Sequence, residues 1–291
     1  MRVPTPRLLA TATATATLKG RMIIALAVAS ALALFQSTVF AQSSHNVKLH
    51  INPKWKQCSF QLDPSLTQAA WHQFTEEAGL VTYFRPLTDA NPMGTRRFEL
   101  SLVQWQTGID DTDAAWNDTF VHPDSTHWLF EGSGLKFPGL MLRAGLTNRI
   151  DVGAYATKSQ GGNYGFYGGQ VQYNLVHDVK RDWAASTRLS FVSMYGPKDL
   201  AFTVYGMDVV ASKTYPVFAK WASVSPYAGV STNLSTSHEK SSAVSLADEH
   251  VVGAQGMVGA VAQISMATLA VEYNVAKVQT LSIKVGVSPR F

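Results

Sequence analysis

The last stretch of the chain, TLSIKVGVSPRF (Thr280–Phe291), alternates without a break. Leu281, Ile283, Val285, Val287, Pro289 and Phe291 fall on one side of an extended backbone. Thr280, Ser282, Lys284, Gly286, Ser288 and Arg290 fall on the other. Successive strand side chains point to opposite faces, so this is a strand with one apolar and one polar wall. In a sandwich the apolar wall would meet a core. In a membrane barrel it meets lipid, and the polar wall meets the lumen.

The pattern recurs upstream. Leu269, Val271 and Tyr273 oppose Ala270, Glu272 and Asn274, and Leu189 and Phe191 oppose Arg188 and Ser190. Tyr167, Val171, Tyr173 and Leu175 oppose Gly168, Gln170, Gln172 and Asn174. Ile150, Val152, Ala154 and Ala156 oppose Asp151, Gly153, Tyr155 and Thr157, while Phe98, Leu100 and Leu102 oppose Glu99 and Ser101. Strands are expected near 80–88, 96–108, 138–147, 149–158, 164–176, 182–195, 200–213, 223–236, 250–263, 265–275 and 278–290. Both termini of such a barrel are expected in the periplasm, so the count should be even. Lys54–Leu62 (KWKQCSFQL) supplies a candidate twelfth strand. The expected fold is an all-β, transmembrane, antiparallel up-and-down barrel of about 12 strands, within a range of roughly 10 to 14.

Composition excludes other classes. Only 15% of the 291 residues are charged and 46% are hydrophobic, against about 25% charged in ordinary soluble domains. The apolar content is too high for a disordered chain. There is one long apolar run, which excludes a helical membrane bundle, and one cysteine, Cys58, which excludes an intrachain disulfide and a Cys-based zinc site.

That apolar run, Met22–Phe35 (MIIALAVASALALF), follows Arg2, Arg7, Lys19 and Arg21 and precedes Val39-Phe40-Ala41. This is the layout of a secretory signal peptide, too short for the roughly 20 residues a spanning helix needs. Residues 1–41 are read as the leader, with translation starting at Met1 or Met22. Removing them takes away four bases and no acid, leaving 20 acids balanced by as many bases. The net charge of +4 therefore belongs to the leader, and no nucleic-acid partner is expected.

Residues 42–79 form an N-terminal segment and 80–291 the barrel. A short helix is expected over Ser65–Ala78. Asp63-Pro64 provides a cap and a first-turn proline, Ser65 with Gln68 an alternative capping box, and Gly79 the stop. Leu66, Ala70 and Phe74 share a face. Such a helix is a plug in the lumen, a periplasmic lid, or a loop helix between strands.

An exported, hairpin-rich chain ending in a two-faced strand with Phe291 resembles the bacterial outer-membrane β-barrel proteins. That resemblance implies that Phe291 is part of the signal read by the barrel-assembly machinery. More narrowly, FTEEAGLVTYFRPLTDANPMGTRRFELSL (Phe74–Leu102) and TGIDDTDAAW (Thr107–Trp116) are similar to a family of uncharacterised proteobacterial barrel proteins. So are RIDVGAYAT (Arg149–Thr157), YGGQVQYNL (Tyr167–Leu175), YGMDVVASK (Tyr205–Lys213) and PYAGV (Pro226–Val230). The resemblance carries architecture and Gram-negative outer-membrane localisation, with lipid and lipopolysaccharide as surroundings. It carries no catalytic residue.

Few motifs carry chemistry. Gly165, Gly168 and Gly169 lie in a strand with no helix after it, so they are not a dinucleotide loop. Asp110, Asp111, Asp113, Asp118 and Asp124, with His122 and His127, lack EF-hand spacing and read as a solvated acidic loop. His177, His238 and His250 have no sequence signature joining them to a nucleophile. No enzyme activity, metal or cofactor is expected.

The lumen-facing candidates are Glu99, Asp151, Arg188, Asp208, Glu272, Lys284 and Arg290. They form either an ion-pair network filling a closed interior or the lining of a wet, selective channel. The leading expectation is a porin-like barrel giving passive or plug-gated passage to a small solute. A non-conducting structural or adhesive surface barrel is the first alternative, and a barrel hydrolase the second.

Overall fold

The computed structural model describes residues 48–110, 112–123, 135–217 and 221–289. The leader, Arg290 and Phe291 lie outside the described residues, as do Asp111, Asp124 and His127. In chain order the elements are β1 (Ser59–Phe60), α1 (Gln68–Thr82), β2 (Phe98–Thr107), α2 (Ala114–Asn117), β3 (Phe120–Val121), β4 (Leu135–Gly145) and β5 (Ile150–Lys158). Then follow β6 (Gly165–Asp178), β7 (Trp183–Tyr195), β8 (Leu200–Lys213), β9 (Tyr215–Val217), β10 (Ala222–Glu239), β11 (Glu249–Ile264), β12 (Ala267–Val275) and β13 (Thr280–Val287).

Ten strands make the wall, in the order β2-β4-β5-β6-β7-β8-β10-β11-β12-β13. Every neighbouring pair is antiparallel, and β13 returns to β2 with Leu281 opposite Gln106 and Val287 opposite Leu100. The ring is closed. β9 adds three residues to one end of β10. Among the described residues no helix is long and apolar enough to cross a membrane.

The wall thus has ten strands rather than about twelve, and both surplus strands have a physical explanation. Leu80–Leu87 (LVTYFRPL) is the end of α1 plus an extended segment inside the ring, and all eight residues are buried. A wall strand needs alternation, apolar toward lipid and polar toward the lumen. This stretch is apolar on nearly every side because wall surrounds it. Of Lys54–Leu62, only Ser59–Phe60 pairs, with β3, in a two-stranded sheet apart from the wall.

The two rims differ. One carries the connections 108–134, 159–164, 196–199, 240–248 and 276–279; the other carries 146–149, 179–182, 214–221 and 265–266. Residues 48–67 sit on the first, which we call the cap rim. There Asn52 N donates to His122 O (2.8 Å), Gln57 N to Gly161 O (3.1 Å) and Asp63 N to Asp118 O (2.8 Å). β13 runs away from the cap and ends at the opposite rim, so the described N-terminal residues lie at the far end of the barrel from the end of β13. The termini themselves, on which the expectation of a shared side falls, lie outside the described residues.

From the cap, α1 descends into the ring. Thr67, not Asp63, caps it, accepting from Ala70 N; Asp63 instead closes a turn with Ser65 N (2.8 Å). Gly79 does not stop the helix, which runs on to Thr82. A Cβ at Gly79 would lie 2.8 Å from Ser235 Cβ, nearer than side-chain carbons pack, so glycine lets the helix lie directly on β10. The helix ends before Pro86. Arg85 takes over its last carbonyls, donating to Val81 O (3.0 Å), Tyr83 O (3.1 Å) and Leu80 O (2.5 Å).

Gly79→Val is expected to unseat α1 while the ring still closes. Heat-modifiable migration on a gel should persist, and protease resistance across 80–97 should fall. A variant as protected as the parent would contradict the contact with β10.

Candidate functional site

The lumen has two zones. Toward the cap its wall is apolar: Val103 and Trp105 of β2, Phe137 of β4, Phe166 of β6, Met194 of β7 and Phe202 and Val204 of β8 are buried inside. Against them pack Trp71 and Phe74 of α1, stacked with ring centroids 5.4 Å apart, and Phe74 meets the Trp116 ring of α2 at 5.2 Å. Phe60 meets Phe120 at 4.2 Å and Tyr164 at 5.0 Å. What remains open around Phe74 and its neighbouring rings is a cavity of about 10 Å³, room for one water molecule at most.

Toward the other rim the wall is charged. Glu99, Asp151, Arg188, Asp208, Glu272 and Lys284 are all buried on the lumen side. Lys284 Nζ donates to Glu99 Oε1 (2.6 Å), which also accepts from Ser101 Oγ (2.8 Å). Arg188 pairs with Asp208 (3.4 Å), and Arg143 with Asp151 (2.5 Å). Tyr227 Oη donates to Glu272 Oε2 (2.8 Å).

These charges grip the segment that threads the ring. Tyr83 Oη donates to Asp208 Oδ2 (3.2 Å), Arg188 Nη2 to Thr88 O (2.7 Å) and Arg143 Nη2 to Asn91 O (3.1 Å). Met93 N donates to both oxygens of Asp151, at 3.1 and 3.0 Å. Arg85 reaches Asn274 Oδ1 (2.9 Å) and Thr280 Oγ1 (3.3 Å). Ala90 is held from both sides, its N donating to Ser212 Oγ (3.0 Å) and its O accepting from Asn174 Nδ2 (3.0 Å). Gly206 gives the Tyr83 ring room, since a Cβ there would lie 2.5 Å from it.

Below this grip the lumen opens into a vestibule of about 760 Å³ at the rim where β13 ends. Asp89, Arg97, Glu99, Arg143 and Lys284 line it, with Trp221 among the residues at its wall. The exterior of the ring is apolar: Leu102, Leu140, Leu189, Tyr205, Val230, Val258 and Val285 are each at least half exposed. A closed sheet with that belt is built to stand in lipid, where every wall backbone group is satisfied within the ring.

Sequence reading missed Tyr83, Arg85, Thr88 and Arg143. The first three lay in a stretch read as wall. Its lack of period-two alternation, with a single arginine before a proline, was the available signal of an interior position.

The histidines stay dispersed. Among the described residues no group of His, Cys, Asp and Glu could hold a metal ion. His238 meets Asp248 (2.5 Å) and His72 meets Glu249 (2.7 Å), both at the exposed cap. Cys58 Sγ lies 3.0 Å from His122 Nδ1, fully buried in the cap. His50 bridges Asp63 and Asp118. Partial burial works to raise the Asp63 pKa, but hydrogen bonds from Ser65 and the His50 charge outweigh it and hold the carboxyl below its usual value.

No protein-family model matches the chain, and no curated protein matches it in sequence. Solved structures do match in part. Ail, the attachment invasion locus protein of Yersinia pestis, is 11% identical over 68% of this chain and 99% of its own, with a TM-score of 0.29. The β-domain of the Bordetella autotransporter BrkA is 9% identical over 67% and 99%, with a TM-score of 0.41. LpxR from Salmonella typhimurium is 10% identical over 52% and 72%, with a TM-score of 0.32. The narrower resemblance to a proteobacterial barrel family has no matching model behind it.

Two predictions follow the pairings. Lys284→Met alone leaves Glu99 buried without its cation and is expected to cost about 3–5 kcal/mol. Adding Glu99→Leu should recover most of that, because a buried pair replaced by apolar groups is often neutral. Denaturant unfolding of the refolded barrel measures both; a double variant as unstable as the single would refute the pairing. For Asp63, the folded pKa lies below the unfolded one. Its contribution is therefore present above the unfolded value of about 3.9 and lost as pH falls through the folded value. Asp63→Asn should abolish that part of the acid loosening of the cap, read by proteolysis at residues 48–67.

Proposed function

We propose that the chain is a bacterial outer-membrane β-barrel that its own N-terminal segment seals, non-conducting as folded, with the cap presented at the cell surface. One observation carries this reading: among the described residues, the aromatic cluster around Phe74 in the cap half of the lumen leaves a cavity of only about 10 Å³. No solute path crosses such a core. Longer connections belong to the outer face of these barrels and short turns to the periplasm, which supports the cap rim as the outer one. Outer-membrane lipid and lipopolysaccharide would surround the apolar belt, and the barrel-assembly machinery would receive the chain after export.

The reading is non-enzymatic. Among the described residues a thiol and an imidazole meet at Cys58 and His122, and both are enclosed in the cap. A substrate has no access to them there.

A second reading, gated passage of a small solute, is favoured by the vestibule of about 760 Å³. It is also favoured by Gln255 and Ser282, whose buried side-chain atoms have no hydrogen-bond partner among the described residues and suit a wet interior. In this reading α1 is the gate. Planar bilayers separate the two. Full-length protein should be silent, and so should Lys277→Ala, which removes the ties from the 276–279 turn to Glu76 (2.6 Å) and Glu77 (3.5 Å). Removing residues 43–78 should give conductance steps if the ring survives, and charge reversal at Lys284 or Glu272 in that background should shift ion selectivity. Full-length protein that conducts would sink the sealed reading.

A further inference from the structure

The strongest feature outside the wall is the route of the chain. Contacts place it step by step. Residues 48–67 lie on the cap; Thr75 Oγ1 meets Ser237 Oγ (2.5 Å) near the cap end of β10. Tyr83 and Thr88 are held at mid-wall by Asp208 and Arg188. Met93 reaches Asp151 at the start of β5, and Gly145 N donates to Arg97 O (3.1 Å) at the opposite rim. There the chain turns into β2. Fifteen helical residues rise about 22 Å, and the extended stretch 83–97 reaches up to roughly 50 Å. Together they exceed the ~30 Å of a bilayer core.

A closed, hydrogen-bonded ring surrounds this segment, so the chain cannot enter sideways once the ring is complete. Either the sheet closes around it or it passes end-on. In both cases residues 48–67 finish on the side opposite to the turns 146–149, 179–182 and 265–266.

We propose that this barrel carries its own N-terminal segment across the outer membrane. The cargo is the polypeptide of residues 48–67, and α1 with the extended residues 83–97 behind it stays in the lumen as the seal. The inference rests on the sealed outer-membrane reading and adds a direction and a cargo to it. The lumen suits that task. Its gripping groups meet chiefly the backbone of residues 88–93, at Thr88 O, Asn91 O, Ala90 N and O and Met93 N, and they halt the chain in one register once the part ahead of it has passed.

The test is cysteine accessibility in cells expressing the full chain. Cys58 is fully buried, so the parent is the blank. Lys54→Cys reports the exposed cap, and Arg181→Cys the exposed turn at the other rim. A membrane-impermeant maleimide is applied to intact and then to permeabilised cells. The expected result is equal labelling of Lys54→Cys in both conditions and labelling of Arg181→Cys only after permeabilisation. The reverse pattern would overturn the passage while leaving an outer-membrane barrel, now inverted. Recovery of both variants outside the outer-membrane fraction would overturn the membrane reading, and the passage with it.

Discussion

An extended backbone enclosed in a ring of strands has no ladder of its own. Residues 83–97 are neither helix nor strand, yet they run through the interior. Each buried amide and carbonyl without a partner costs about 1–3 kcal/mol. The wall supplies those partners from side chains, and much of the rest of the structure follows from that need. Arg188, Arg143 and Asn174 donate to carbonyls, while Asp151 and Ser212 accept from amides. The wall charges are in turn neutralised by one another or by groups on the threaded segment.

The two zones of the lumen divide the work of sealing. The apolar zone excludes water, since its aromatic rings leave almost no space. The charged zone fixes register, since a one-residue slip of the threaded segment would move every carbonyl away from its arginine. A strained turn supports that register. Leu87 is fully buried with φ of +48°, a left-handed conformation uncommon for a bulky side chain. Such strain persists where surrounding contacts over-determine the backbone, as the hydrogen bonds at Thr88 and Ala90 do here.

Much of the wall was legible as period-two alternation. β5, expected at 149–158, runs Ile150–Lys158, and β8 was read at its observed bounds, Leu200–Lys213. Alternation is decisive there because lipid and lumen impose opposite demands on the two faces. It failed where the demands converge. Leu80–Leu87 meets wall on all sides, so its pattern imitates a buried strand. At the cap ends of β2, β4 and β8 the inward residues are Trp105, Phe137 and Phe202, which the enclosed segment explains: Phe202 meets Phe74 of α1 and Trp105 lies under Arg85. The strand count erred for the same reason, because a segment inside a barrel and a segment of its wall can be equally apolar. The grip of Arg143 on Asn91 and Asp151 joins distant parts of the chain, and no local pattern announces it.

A purely apolar plug would be simpler, and by the energetics of buried ion pairs it would be no less stable. The charged half makes sense as a specificity device. Aromatic packing tolerates sliding, because one ring can replace another at little cost. A guanidinium on a carbonyl does not, because a displaced chain leaves a buried N–H donor without its acceptor. The wall therefore holds one placement of one segment. That placement puts the aromatic cluster of α1 and the cap at the same rim, with Phe74 in contact with Trp116 and Trp116 Nε1 donating to Glu77 Oε2 (2.6 Å). The seal at one rim is thus positioned by hydrogen bonds made toward the other.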